Sequence, residues 1–194
     1  MSRFIFLALP VVLSMMAYPA TAFTPPSRSI QSALLMDNTI YVQGGIDPAG
    51  NIVSNMYSLD VSQSWPCTNP AWADRTSDAG TFAVPATELK PMWPSADGKS
   101  FYIWGGASDN SAKLSQNGFA QYNVVTKSWS LPSSISNMPQ QRFDLAVVLA
   151  STGVAYFWSG NDQMVIIGGL TSTQTNVTYV NMDLASMNDI PVFE

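Results

Sequence analysis

Three times in this chain a short apolar run ends in two adjacent glycines, at Gly44-Gly45, Gly105-Gly106 and Gly168-Gly169, with the first glycines 61 and 63 residues apart. A doublet at the end of a strand suits backbone that must turn with positive φ where a side chain would collide with a neighbour. Recurrence constrains the fold more than any single motif does, because repeated units can bury their apolar faces only against one another. The order around the doublets also recurs. After the first come Tyr57-Ser58-Leu59-Asp60 and Trp65; after the second come Tyr122-Asn123-Val124-Val125-Thr126-Lys127-Ser128-Trp129. The third continues through Tyr179-Val180-Asn181-Met182-Asp183-Leu184 without a tryptophan. That unit is ambiguous, since Phe157-Trp158-Ser159-Gly160 also aligns with Ile103-Trp104-Gly105-Gly106, so an extra hairpin fits here.

The apolar runs have the length and composition of strands. Ser32–Met36 and Thr39–Gln43 flank Asp37-Asn38, a two-residue hairpin signal. The device returns at Ser100–Trp104 after Asp97-Gly98 and at Val154–Trp158 after Thr152-Gly153. No segment after residue 22 carries a 3.6-residue apolar stripe. The expected fold is all-β.

The ordered set of strand, Gly-Gly, loop, tyrosine strand and tryptophan resembles the Kelch repeat of secreted β-propeller proteins, related to the central propeller of galactose oxidase. The resemblance spans roughly residues 28–184 and includes Arg28 and Arg142, each standing before the strand that opens a unit. It implies about three Kelch-like β-propeller blades in an incomplete, open propeller over residues 23–194. The structural Kelch positions are then Gly44, Gly45, Tyr57, Trp65, Gly105, Gly106, Tyr122, Trp129, Gly168 and Gly169, the aromatic residues packing between blades. The spacing exceeds the period of about 50 expected of Kelch units. An insertion at Pro66–Asp74 resembles the blade-linking segment of long-loop fungal Kelch proteins. About three blades are too few to close a ring, and an open arc leaves two apolar faces in water. The expectation is a truncated gene product, or a partner in a multi-chain propeller that associates through those faces.

The first residues carry an address. Arg3 precedes the apolar run Phe4–Ala17, then Pro19 and the small pair Ala20 and Ala22 complete a signal peptide over residues 1–22, cut after Ala22. The run is too short for a membrane span, and the expected protein is secreted, with no stable membrane insertion. Of 8 basic and 13 acidic side chains the leader removes Arg3, leaving a net charge of −6 that disfavours nucleic acid as a partner. Cys67 is the only cysteine, so no disulfide forms within the chain.

Catalytic chemistry is hard to assemble from this composition. The oxidases that the resemblance brings to mind hold copper(II) with imidazole and phenolate, and this chain has no histidine. The same absence removes the usual general base and the common zinc sites. Ser95–Phe101 only faintly resembles a sialidase Asp-box, and Asp97-Gly98 is read as a turn. Most acids sit beside turn residues, and no motif selects a glycosidase pair. The expected role is a non-catalytic binding or scaffolding module for a protein or carbohydrate, with no cofactor or metal. The alternatives are part of a carbohydrate-active propeller enzyme and a cell-surface structural protein. Candidate binding loops are Ile46–Asn55 and Ala107–Phe119. Asn176-Val177-Thr178 is a glycosylation sequon.

Overall fold

The computed structural model describes residues 23–109, 114–132, 141–159, 163–167 and 185–186. The leader with Ala22, the Gly168-Gly169 doublet and Asn176 lie outside the described residues. The chain is all-β, with short 3-10 turns at Thr76–Ala79 and Ser115–Gly118 as the helical elements named among the described residues. Three antiparallel sheets, none closed on itself, follow one another along the chain. The first holds β1 (Ser32–Met36), β2 (Thr39–Gln43), β3 (Met56–Asp60) and β4 (Trp72–Asp74) in sequence order. The second holds β5 (Met92–Pro94), β6 (Ser100–Ile103), β7 (Ala120–Asn123) and β8 (Ser128–Ser130). The third is built on β9 (Leu145–Leu149) and β10 (Ala155–Ser159) and continues to β11 (Gln163–Ile167) and β12 (Ala185–Ser186).

Local chemistry explains the hairpins. Met36 pairs with Thr39, leaving Asp37 and Asn38 as the loop, and Asp37 takes a φ of 49°, a conformation that short polar side chains tolerate. Between β5 and β6 the Asp97 carboxylate accepts from Ser95 Oγ and from the Lys99 N–H. Those bonds hold its pKa below the ordinary value, the serine contributing most. Asp97 therefore serves the turn. Between β9 and β10, Gly153 turns with a φ of 82° and donates to the Ala150 carbonyl.

Packing follows the alternation of each strand. β1 lies against β5 and β5 against β9, so the sheets meet through their first strands. One face of the second sheet presents Met92, Phe101, Ile103, Ala120, Tyr122 and Trp129 to Met36, Met56 and Tyr41 of the first. Tyr41 stands 5.1 Å from Phe101 and 5.8 Å from Tyr122 between ring centres. Its opposite face presents Trp93, Trp104 and Phe119 to Ala155 and Phe157 of the third, with Trp93 edge-on to Phe157 at 4.8 Å. The middle sheet is thus covered on both sides. The 3-10 turn after β4 reaches across as well, for the Tyr122 hydroxyl donates to Asp78. Burial, and then the bonded carboxylate, push that phenol's pKa above its usual range.

Strand register places the repeats on a common frame. Val42 pairs with Ala33 and Tyr57, Ile103 with Met92 and Ala120, and Phe157 with Val147, each two residues before the end of the second-strand turn. On this frame Tyr122 corresponds to Leu59 and Tyr57 to Ala120, so the two tyrosines are neighbours of equivalent positions rather than equivalents. The tryptophan assignment is corrected in the same way. Trp129 pairs with Tyr122 on β8, and the residue pairing with Leu59 on β4 is Trp72. Trp65 stands in the connection before β4, its indole N–H bonded to the Asp60 carbonyl. The link after β3 runs over residues 61–71, so Trp65 stands before the fourth strand begins and Trp72 is the tryptophan on it. In the third sheet the place of Gly44 and Gly105 falls on Ser159, because Gly168-Gly169 follows β11, the third strand of its sheet.

Candidate functional site

The glycine doublets build the junctions between sheets. Gly44 and Gly105 have φ of 71° and 66°, Gly45 and Gly106 of 85° and 88°. The first glycine of each pair donates to an asparagine carbonyl, Asn55 or Asn117, at 3.0 Å. The second donates to the next sheet, Gly45 to Thr87 O at 3.0 Å and Gly106 to Arg142 O at 2.7 Å. A Cβ on Gly44 would lie 2.4 Å from Thr87 O, and one on Gly105 2.2 Å from Arg142 O. Only glycine lets the second strand of one sheet press on the entry to the next. The two doublets have like surroundings.

Each first strand is entered through a residue with positive φ: Ile30 at 58°, Leu89 at 53° and Asp144 at 58°. The Leu89 N–H donates to Ile30 O at 3.4 Å and the Asp144 N–H to Leu89 O at 2.9 Å, one bond across each junction. These residues and the strands they open, Ile30–Ala33, Leu89–Met92 and Asp144–Val147, line an open hollow of about 450 Å³. Both candidate loops leave beside its mouth. Ile46 bridges Ser29, next to Ile30, and Ala107 bridges Glu88, next to Leu89. The first loop is tied by the Asp47 carboxylate, which accepts from Ala49 N–H, Asn51 N–H and the Asn51 amide. The Asn51 bonds lower the Asp47 pKa, so the carboxylate stays charged.

Two cations at the first junction were not foreseen in these roles. Arg28 donates to the Gly44 carbonyl at 3.2 Å and to the Tyr57 hydroxyl at 2.8 Å, its guanidinium 4.8 Å from the centre of that ring. Lys90 is 5 % exposed, and its Nζ donates to Gln43 O at 3.2 Å and Thr87 O at 2.9 Å. Ser32 Oγ donates to the Lys90 carbonyl, closing the junction from the first sheet. Gln43 Oε1 and Thr87 Oγ1, buried at the same junction, have no hydrogen-bond partner among the described residues. The lysine amine is thus packed against backbone under Gly44, which makes it a junction lock more than a nucleophile facing the hollow.

Burial, with the Arg28 charge as a second cause, pushes the Lys90 pKa down from 10.5 to about 7. The unfolded chain therefore holds more protons than the folded one between pH 7 and 10.5, and stability rises with pH through that window. From pH 7.5 to 9.5 the unfolding free energy is expected to gain between about 2 and 3 kcal/mol, at 1.36 kcal/mol per unit. Lys90→Met should flatten that rise. Urea titrations of both proteins across the range check it, and parallel slopes would rule out Lys90 as the group responsible.

Among the described residues no group of three or more cysteines, aspartates and glutamates comes together to hold a metal. No helix among them is long and apolar enough to cross a membrane. Cys67 is exposed in the link before β4. No protein-family model matches this chain, and no match is found among curated proteins.

Proposed function

We propose that this chain is a secreted, Kelch-like interaction module, its sheets the blades of an open propeller, which binds a protein or carbohydrate ligand and has no catalytic centre of its own. The repeated junction supports this reading most. Successive sheets are linked by the same glycine-to-carbonyl and strand-entry bonds, as blades turned about a shared axis require. The ligand is received at the mouth of the hollow, between the loops Ile46–Asn55 and Ala107–Phe119. Loops carried on rigid sheets are where such scaffolds place recognition. Asp109 and Asp144 are exposed acids on this rim and Asp47 is half-buried beside them, against a buried Lys90. The reading therefore favours a neutral or cationic ligand over an anionic one.

Two measurements test it. Expression with the leader intact should deliver protein to the medium beginning at Phe23, as N-terminal sequencing would read. Copper analysis with a peroxide-forming assay on galactose and simple aldehydes should give neither stoichiometric metal nor turnover. A copper-loaded chain that oxidises sugar would replace the binding module with a propeller enzyme.

A further inference from the structure

Three polar side chains at the first junction carry more hydrogen-bonding capacity than the described residues satisfy. The Lys90 ammonium has three N–H donors, and it bonds the carbonyls of Gln43 and Thr87. The side chains of those same two residues end in unpartnered oxygens, Gln43 Oε1 and Thr87 Oγ1, and both residues are fully buried. Turning the Gln43 amide over does not help. Its nitrogen donates to Ser54 O at 3.1 Å and Pro85 O at 3.5 Å, so a flipped amide would set oxygen against oxygen. A spare donor, a spare acceptor and a hydroxyl able to act as either are thus drawn together by the Lys90 amine.

The second junction shows the same places in apolar dress. Counted from the glycine doublets and the positive-φ entries, Gln43 corresponds to Trp104, Lys90 to Leu145 and Thr87 to Arg142. Trp104 is fully buried and edge-on to Phe157 at 5.4 Å, and Leu145 packs against the same cluster. At the first junction a smaller amide stands where the second has an indole, and an amine where the second has methyl groups. The exchange brings both room and polarity, the two conditions for water inside a protein.

We infer that the first junction binds internal water, which accepts the third Lys90 N–H and donates to Gln43 Oε1 and Thr87 Oγ1. Water is the small ligand whose chemistry suits all three groups. A halide would meet the Lys90 and Thr87 donors, but the Gln43 amide oxygen and the two carbonyls on the amine would repel it. A metal cation would face the Lys90 amine and Arg28, whose guanidinium rests on the neighbouring Gly44 carbonyl. Water both donates and accepts and brings no charge to be desolvated. Internal waters typically make about three hydrogen bonds to groups that are otherwise unsatisfied. The bridge ties the end of β2, at Gln43, to the entry of β5, a link that the second junction makes by aromatic packing. The site lies within residues 28–90 and depends on neither the propeller reading nor the ligand reading.

X-ray diffraction from crystals of the full chain tests the site. A density peak is expected about 2.7 to 3.2 Å from Lys90 Nζ, with water there or one bond further on reaching Gln43 Oε1 and Thr87 Oγ1. Soaks in bromide and in rubidium should leave no anomalous signal at that peak. The peak should be lost in Gln43→Met and kept in Thr87→Ser, which retains the hydroxyl. In solution, oxygen-17 relaxation dispersion should count at least one fewer long-lived water in Gln43→Met than in the parent. Absence of density beside Lys90 Nζ in the parent crystals overturns the site, whether or not the variants fold. A bromide signal replaces water with an anion, and a rubidium signal replaces it with a cation. A peak unchanged in Gln43→Met overturns the role of the amide oxygen and with it the bridge.

Discussion

Gly105→Ala is expected to unfold this protein or cost it about 4 kcal/mol or more, whereas Gly50→Ala should cost about 1 kcal/mol. Both glycines have positive φ, 66° and 89°, so the backbone penalty is shared. They differ in what a methyl group would meet. At Gly105 it would lie 2.2 Å from the Arg142 carbonyl oxygen, and at Gly50 no heavy atom lies within 4 Å. The Arg142 oxygen cannot retreat without loss, since it accepts the Gly106 N–H at 2.7 Å. A domain of this kind has about 5 to 15 kcal/mol of stability in all, so the first change removes much of it. Urea denaturation followed by tryptophan fluorescence decides the matter. Equal losses at the two sites would mean that φ alone, and not the approach of the next sheet, requires the glycine.

The second large effect separates two tryptophans that look interchangeable along the chain. Trp129→Ala should cost about 3 to 5 kcal/mol, the range for deleting a large buried aromatic side chain. Trp129 is 6 % exposed, edge-on to Phe101 at 5.7 Å and tilted over Tyr122 at 5.3 Å. Trp65→Ala should cost less than about 1 kcal/mol, because the residue stands in a connection and its indole N–H makes one bond to the Asp60 carbonyl. Comparable losses would restore Trp65 as the partner of Trp129 and undo the register assignment.

Much of the architecture was legible residue by residue. The strands Ser32–Met36 and Thr39–Gln43 have the expected bounds, since alternation and an Asp-Asn turn are local properties. Gly44-Gly45 and Gly105-Gly106 were recognisable as special because a side chain there is barred at both. Tryptophan equivalence was misread because counting along the chain assumes a constant link after the third strand, whereas residues 61–71 join β3 to β4 and only 124–127 join β7 to β8; the stretch read as an insertion, Pro66–Asp74, in fact ends in the fourth strand itself. The third doublet was ambiguous for a related reason. Gly168-Gly169 and Ser159-Gly160 each follow a plausible strand, and only pairing with β9 tells second strand from third. Lys90 left no signal at all. Between Glu88-Leu89 and Pro91 it reads as an ordinary surface lysine, and it becomes buried because two carbonyls from different parts of the chain converge on its amine.

The order of residues by itself determined that the chain makes short antiparallel strands, where they turn and which positions tolerate no side chain, since each of these depends on neighbours within a few residues. Tertiary structure decided which strand faces which sheet and which cation is buried at the first junction. Those depend on the meeting of segments about sixty residues apart, whose separation is set by loops of unequal length and whose contact is settled by register and by the desolvation of what lies between them.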